Sequence, residues 1–461
     1  MQHYDLFVIG GGSAGMKAAR TSARMGRKVG VAEAKEPGGE CFWAGCVPTK
    51  ALVRAADVWH TVRNAARFGI QVDVCRADFR DAMAYKNRAM HRVGGDGPAD
   101  AGLSKLGADY FNERAMLESA HEVRIGKDLV VHADYILIAT GTDPAIPPIP
   151  GLEEAGYLTN REALTLERLP SRIAIIGGGA IGLEFGQIFR RFGATVTVVE
   201  AAPQILPRDD ADIAALVTAS LRAEGLSVLT STTVIRAEVT ATGKRLIVTC
   251  GGSESHIDCD EILVAVGRRP ATRGLQLAAA GLPDDGRSLR VDEFMRSAVP
   301  HILAAGDVTG GQQFTHVASY SGGLAANNMF GETLRPADYR VVPRCTYTDP
   351  EVASVGLTTA DAMKLGIPIK TRCAKYSDAD RPVLYGQEEG MVKLVLDARD
   401  NQILGGHVAG ANASSLLGEV AVCMQNRLPV DAIAATMHAY PSFPEVIEAA
   451  ALSHDECTRN A

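Results

Sequence analysis

Cysteine is scarce in this chain, nine in 461 residues, and the count is odd. That density is far below what a disulfide scaffold uses. No Cys-x-x-Cys pair occurs, and His and Cys do not fall at zinc-binding spacings, so no metal site is expected. Long apolar runs are missing too: none approaches the roughly 18 residues of a membrane span. The opening, Met1 to Gly10, carries Asp5 inside what reads as a strand, where a secretory leader has a basic and then an apolar stretch. A cytoplasmic location with no membrane partner is the expectation. No cluster of Lys and Arg could track a phosphate backbone, and the net charge is −7, so nucleic acid is not an expected partner. The 47 Gly and 21 Pro follow no collagen-like period and form no low-complexity tract. What remains is a globular chain, 46% apolar, long enough for two to four domains.

Its organisation comes from an internal repeat. Asp5 to Ile9 reads as an apolar strand, followed by Gly10-Gly-Gly12-Ser-Ala-Gly15, a helix-compatible run to Gly26, and a strand Lys28 to Ala32 closed by Glu33. A copy begins at Arg172: strand Ile173 to Ile176, Gly177-Gly-Gly179-Ala-Ile-Gly182, a helix through Phe192, and strand Thr195 to Val199 closed by Glu200. The first glycine lies 23 positions before the acid in both copies. One such fingerprint is weak; two in identical context are strong.

Close approach explains the glycines. The first permits the tight turn, the second lets backbone reach a pyrophosphate without a Cβ, and the third lets helix and strand pack. The helix N-terminus aims N–H groups and partial positive charge at the phosphates, and Glu33 and Glu200 can accept from adenosine riboses. Each unit ends alike, in Tyr135-Ile-Leu-Ile-Ala-Thr140-Gly141 and Glu261-Ile-Leu-Val-Ala-Val266-Gly267. Four prolines between Asp143 and Gly151 mark an extended connector and a domain boundary. Long helices are predicted near 51–66 and 78–93. From about Arg340 the pattern shifts to short strands, such as 391–397 and 402–408, then helices near 416–426 and 430–437.

Two dinucleotide sites on one chain suit two cofactors exchanging electrons, commonly a tight flavin and an exchanging nicotinamide. Directly after the first unit comes Pro37-Gly-Gly-Glu-Cys41-Phe-Trp-Ala-Gly-Cys46-Val-Pro48-Thr-Lys50. This segment resembles the redox-active disulfide helix of the flavin-dependent pyridine nucleotide-disulfide oxidoreductases, the group of dihydrolipoamide dehydrogenase, glutathione reductase and mercuric reductase. His301-Ile-Leu-Ala-Ala-Gly306-Asp307 is similar to the family's second flavin motif, and Thr348 to Gly356 to the entry of its interface domain. The resemblance spans essentially the whole chain.

It implies an α/β fold: two Rossmann-like dinucleotide-binding domains and a C-terminal α+β interface domain. The expected boundaries are 1–150 for FAD, completed by the central segment 271–339, then 151–270 for NAD and 340–461 for dimerisation. It further implies that Cys46 is the sulfur nearest the flavin, that Cys41 is the thiol meeting the acceptor, and that Lys50 and Glu184 form an ion pair beside the hydride-accepting position. The chemistry supports the cysteine roles independently, because a thiolate is the attacking species and a helix N-terminus or Lys lowers its pKa. Pro48 cannot continue a regular ladder, which places the cysteines on a distorted first turn. The other seven, Cys75, Cys250, Cys259, Cys345, Cys373, Cys423 and Cys457, read as packing residues.

Glu200 is followed by Ala-Ala-Pro, and the first arginine after it is Arg208, so a 2′-phosphate meets a carboxylate with no nearby guanidinium. NADH is expected over NADPH. The C-terminal His-Pro-Thr-x-x-Glu pattern of the dehydrogenases and glutathione reductases becomes His438-Ala-Tyr440-Pro-Ser-Phe-Pro-Glu445 here. Tyr440 takes the histidine's place while Glu445 keeps its own. An imidazole titrates near pH 6.5 and shuttles protons; a phenol near 10 stays protonated. Mercuric reductases share the Tyr, and Ser377 to Arg381 and Phe314-Thr-His316 look similar to that branch, yet the chain has no vicinal Cys-Cys near its end and no Cys-rich capture domain before the flavin unit. The expectation is a homodimeric FAD-dependent NADH oxidoreductase acting through Cys41 and Cys46 on a disulfide-like or thiophilic acceptor. The alternatives are a true dihydrolipoamide dehydrogenase, a mercuric-reductase-like metal ion reductase, and a slow redox-sensing flavoprotein.

Overall fold

The computed structural model describes residues 1–73, 76–94 and 102–453. Strand β1 (Gln2–Ile9) leads through the first glycine turn into α1 (Ser13–Arg24) and β2 (Val29–Ala32). Helices α2 (Gly39–Trp43), α3 (Cys46–Arg63) and α4 (Phe79–Gly94) follow, then β3 (Asp109–Phe111), β4 (Ala115–Leu117), β5 (Glu122–Ile125), β6 (Leu129–Ile138) and β7 (Thr142–Pro144). The second turn joins β8 (Arg172–Ile176) to α5 (Ala180–Arg191) and β9 (Thr195–Val199). After α6 (Ala211–Ala223) come β10 (Ser227–Leu229), β11 (Thr232–Thr240), β12 (Gly243–Cys250), β13 (Ser253–Cys259), β14 (Glu261–Val264), β15 (Arg268–Pro270) and β16 (Ile302–Ala304). Helix α7 (Thr315–Phe330) precedes β17 (Arg344–Thr346), β18 (Val352–Gly356), β19 (Ile369–Lys375), β20 (Met391–Asp397) and β21 (Ile403–Ala409), and α8 (Ala413–Gln425) and α9 (Glu445–Leu452) close the described chain.

The chain divides into two compact units. One comprises Met1–Ala51, Lys86–Ala145 and Gly267–Asp338; the other Leu52–Tyr85, Ile146–Val266 and Tyr339–Ala461. The first unit is built on a seven-stranded sheet in the order β3-β2-β1-β6-β5-β4, with β16 also on β6. Strand β6 is long enough to serve two partners: residues 129–132 pair with β5 and residues 136–138 with β16, while β1 runs beside residues 131–138. Apolar side chains on the two faces of this sheet form two cores, one including Phe7, Ile136 and Ile302, the other Leu6, Val31 and Leu137.

The second unit holds a parallel sheet β10-β9-β8-β14, a meander β11-β12-β13, and an antiparallel sheet β17-β18-β21-β20-β19. The last packs on α8 and α9 around Leu394, Val408, Val420 and Ile447. This is the α/β architecture with an α+β C-terminal region that the sequence led us to expect.

The repeat is visible bond for bond. Gly10 N–H donates to Ala32 O and Ala139 N–H to Ile9 O; Gly177 N–H donates to Val199 O and Ala265 N–H to Ile176 O, all at 2.8 Å. Gly10 and Gly177 both lie at positive φ, and a Cβ on either would fall within 2.5 Å of a carbonyl oxygen, that of Ala139 or Ala265. A Cβ on Gly15 or Gly182 would lie 1.9 or 2.1 Å from the oxygen of Gly10 or Gly177, so only glycine lets each helix settle on its strand. Some local readings shift. Strand β2 begins at Val29, one residue later than read, and the helix expected near 430–437 is a single turn, Asp431–Ala434.

Candidate active site

Three groups of residues carry the candidate chemistry, and each is built locally. The first is the pair of glycine turns. Helices α1 and α5 both start at a glycine N-cap, Gly12 and Gly179, with no side-chain cap bond and no acid in the first turn. Their leading N–H groups and partial positive charge are left for an anion. A Cβ on Gly12 would meet only Gly39 Cα at 3.9 Å, and one on Gly179 would meet nothing within 4 Å, so these glycines are not demanded by protein packing. Glu33 accepts from Gly11 N–H at 2.7 Å and Lys35 N–H at 2.9 Å; Glu200 accepts from Gly178 and Ala202 N–H, both at 2.7 Å. Each carboxylate steadies its turn and keeps lone pairs for a ribose hydroxyl. Arg208 is exposed, and its carbonyl accepts from Arg344.

The second group belongs to the first unit. Thr140 Oγ1 is buried without a hydrogen-bond partner, next to Gly141 at positive φ. Gly306 is also at positive φ, and its N–H donates to Ser321 Oγ at 3.0 Å. Asp307 accepts from Thr142 Oγ1 at 3.3 Å, and Arg268, which follows Gly267, donates to Thr142 Oγ1 at 2.8 Å and pairs with Glu40 at 3.3 Å. Burial pushes the Asp307 carboxyl up from its ordinary value, and the Arg268 charge opposes that shift. Uncapped helix N-termini, glycines without a packing reason and an orphaned threonine hydroxyl fit a bound dinucleotide at these turns. Arg268 and Thr142 escaped the sequence reading, since nothing in their spacing ties them to Asp307.

The third group is the cysteine pair. Cys41 lies in α2 and Cys46 is the first residue of α3; the chain breaks between them at Ala44 and Gly45. Pro48 does not distort the turn, contrary to expectation. It stands in the first turn of α3, where its missing N–H has no intrahelical partner to lose, and Thr49 N–H still reaches Gly45 O at 3.1 Å. Both sulfurs are thiols; Cys46 is exposed and Cys41 half-buried. Cys46 Sγ lies 3.7 Å from Thr315 Oγ1. The Cys41 thiol is pushed well up, first by its hydrogen bond with Cys46 and then by burial. The proton of the pair is therefore held on Cys41, while Cys46 stands first in α3.

The remaining sequence-derived residues are placed as follows. Lys50 stands one turn beyond Cys46 on α3. Glu184, on α5, is buried and accepts from Tyr347 N–H at 3.0 Å. Tyr440 is 74% exposed, and its hydroxyl donates to Asp380 at 2.6 Å. That bond and the Asp380 charge raise the phenol's pKa. Glu445, which opens α9, accepts from Ser442 N–H at 2.5 Å. The His438 side chain is only 6% exposed and sits between Glu419, at 3.1 Å, and Glu448, at 3.4 Å. Asp380 was not singled out individually, although it belongs to the Ser377 to Arg381 segment noted above. The other cysteines are not uniformly packing residues: Cys259 and Cys423 are buried, Cys345 is half-buried and Cys250 is exposed, none of them in a disulfide. Cys373 is disulfide-bonded, and Cys75 and Cys457 lie outside the described residues.

Comparison with known proteins agrees with this geometry. Residues 4–322 match the model of the pyridine nucleotide-disulphide oxidoreductases, and residues 342–451 that of their dimerisation domain. The chain is 36% identical over 463 residues to a dihydrolipoyl dehydrogenase of Thermus scotoductus, covering 99% of this chain and 98% of the relative. It is 33% identical over 456 residues to a mercuric reductase of Lysinibacillus sphaericus, covering 98% of this chain and 83% of the relative. Among solved structures it resembles the HOCl-induced flavoprotein disulfide reductase RclA of Escherichia coli, with TM-score 0.86, 28% identity and coverage of 98% and 99%. With two glycine turns built to receive dinucleotides, a thiol pair at a helix start and matches over nearly the whole length, the chain belongs to the FAD- and NAD(P)-dependent pyridine nucleotide-disulfide oxidoreductases, enzymes acting on sulfur groups.

Proposed function

We propose that this enzyme is a homodimer that spends NADH, in preference to NADPH, on reducing a soft thiophilic or disulfide-like acceptor at Cys41 and Cys46. The observation that carries the reading is the fate of one proton. Cys41 holds it, through Cys46 and burial, and the position expected to supply an imidazole offers the Tyr440 phenol, itself tied to Asp380. A phenol whose pKa is raised above about 10 donates a hydrogen bond but takes no proton at neutral pH. Cys41 therefore has no evident base among the sequence-derived residues to free its thiolate for attack on an ordinary disulfide. A soft cation needs no such base, since thiol ligation itself drives the proton off.

In this reading residues 1–150 with 271–339 hold FAD, 151–270 hold the nicotinamide nucleotide, and 340–461 join the two subunits. The backbone at Gly10, Gly12 and Gly15 and the groups of Glu33, Thr140, Gly141, Gly306 and Asp307 would hold FAD. Gly177, Gly179, Gly182, Glu200 and Gly267 would hold NADH. Bound together, these cofactors supply hydride and electron-transfer chemistry that no side chain offers. Cys46 carries the negative charge beside Thr315, Cys41 engages the acceptor, and Lys50 and Glu184 are the charged residues assigned to the hydride-accepting side. Tyr440, whose single O–H is given to Asp380, presents its phenol oxygen to the acceptor complex, with Glu445 fixing the turn behind it. The NADH preference rests on Glu200, whose carboxylate would face a 2′-phosphate.

An acceptor panel following NADH loss tests the proposal. Thiophilic metal ions and activated disulfides should turn over faster than lipoamide, with NADH giving the lower KM and Glu200→Ala narrowing the gap to NADPH. Fast, histidine-independent turnover with dihydrolipoamide and NAD would overturn the acceptor assignment, and equal efficiency with both nucleotides would overturn the cofactor preference.

A further inference from the structure

Outside the active site, the first unit stacks four histidines. His3 of β1 and His132 of β6 are direct cross-strand partners in the parallel pair, and their rings lie 5.3 Å apart at 18°. His132 stacks on His121 at 5.5 Å and 6°, and His121 on His301 at 3.9 Å and 3°. The inner two rings are fixed: His121 Nδ1 donates to Ala133 O and His301 Nε2 to Ala120 O, both at 2.9 Å. The outer end differs. Asp134, two residues beyond His132 and so on the same face of β6, has Oδ1 2.9 Å from His3 Nε2, and both side chains are about half exposed. One donor atom each from His3, His132 and Asp134 falls within 4.8 Å of the other two.

We propose that His3, His132 and Asp134 bind a late first-row divalent cation, with the His121 and His301 rings holding His132 in place. Two imidazoles and a carboxylate are the donor set that suits zinc, and copper(II) more tightly still. A second observation points the same way. His132 Nδ1 is shut off from solvent yet makes no hydrogen bond. Nothing holds a proton at that nitrogen, so the ring is free to take the tautomer that leaves a lone pair for a cation. A surface His–Asp pair by itself would leave that nitrogen unexplained and contribute little. Solvent completes the coordination on the exposed side, and the cation ties β1 to β6 across their register. No spacing rule finds this site, because the two histidines are brought together by strand pairing and not by chain proximity.

The test uses the full-length, FAD-loaded protein carrying Cys41→Ser and Cys46→Ser, so that the soft thiol pair does not compete. Equilibrium dialysis against zinc should show one ion per chain. His3→Gln, at an exposed position, should weaken it by at least about tenfold, and His3→Gln/His132→Gln/Asp134→Asn should abolish it. With copper(II) in place of zinc, the electron paramagnetic resonance spectrum should carry nitrogen hyperfine structure that the triple variant lacks. A thermal melt in chelator checks that the variants fold like the parent. The proposal fails if the Cys41→Ser/Cys46→Ser protein holds no zinc, or if the triple variant folds and binds zinc as before.

Discussion

Gly179 and Gly182 separate what the second glycine turn needs for folding from what it needs for its ligand. A Cβ on Gly182 would stand 2.1 Å from Gly177 O and 3.2 Å from an Ile175 methyl, both in the buried seam between α5 and β8. The carbonyl belongs to rigid backbone, so the helix has to move by about an ångström, and overpacking of this kind costs about 1–3 kcal/mol. Gly179 is the opposite case. Its backbone is extended, with φ −82° and ψ −179°, and a Cβ there meets nothing within 4 Å. Gly179→Ala meets no clash, and the gain of about 0.4–1 kcal/mol from narrowing the unfolded ensemble is offset by the N-cap preference for Gly over Ala, so its stability should change little. Its cost appears only when backbone must approach a pyrophosphate, where the added methyl should raise the KM for NADH by about tenfold or more, about 1.4 kcal/mol of binding. Thermal melts of the FAD-loaded variants without nicotinamide nucleotide, beside NADH titrations, read both quantities. Gly182→Ala should lose stability and NADH use together; Gly179→Ala should lose NADH use alone. If Gly179→Ala melts low, or keeps the parent KM, this division of roles is wrong.

Other outcomes follow from the same structure. Asp210 is buried, which by itself raises its pKa, but the Lys393 ammonium at 2.8 Å and the Thr359 N–H at 3.1 Å outweigh burial and bring it down to about 2 from 3.8. That depression stabilises the fold by about 2 kcal/mol above pH 4, a contribution lost as pH falls from about 4 to 2. Lys393→Met should therefore move the acid-unfolding midpoint upward, and an unchanged acid titration by circular dichroism would contradict the linkage. In the reduced enzyme, alkylation at neutral pH should mark Cys46 before Cys41, and Cys46→Ser should lower the pH at which Cys41 reacts, because its largest upward influence is gone; an unshifted profile argues against proton sharing. Tyr440→His should raise dihydrolipoamide turnover by about tenfold or more, as a positioned base does. No gain, with the parent already fast, would place the proton shuttle elsewhere.

How much of this was legible in the sequence depends on how far apart the cooperating residues lie in the chain. The glycine turns read correctly because each is a continuous segment whose steric demands fall on neighbours: Gly15 clashes with Gly10, five residues away, and Gly182 with Gly177. The closeness of Cys41 and Cys46 is legible for the same reason, since only five positions separate them. Pro48 was misread because its effect depends on where the helix starts, and Gly45, not the proline, sets that boundary. The groups that escaped notice are all long-range. Arg268 reaches Thr142 across 126 positions, and Asp380 accepts from Tyr440 across 60. The histidine column needs β6 to be ten residues long, with β1 on one edge and β5 then β16 on the other. No window of sequence carries that pairing, because apolar alternation fixes which face a residue takes but not which strand lies opposite. Tyr in place of His at 440 needed both levels. The motif flagged the missing imidazole, and the structure supplied Asp380, the carboxylate that holds the phenol's proton and makes Tyr440 a donor at neutral pH.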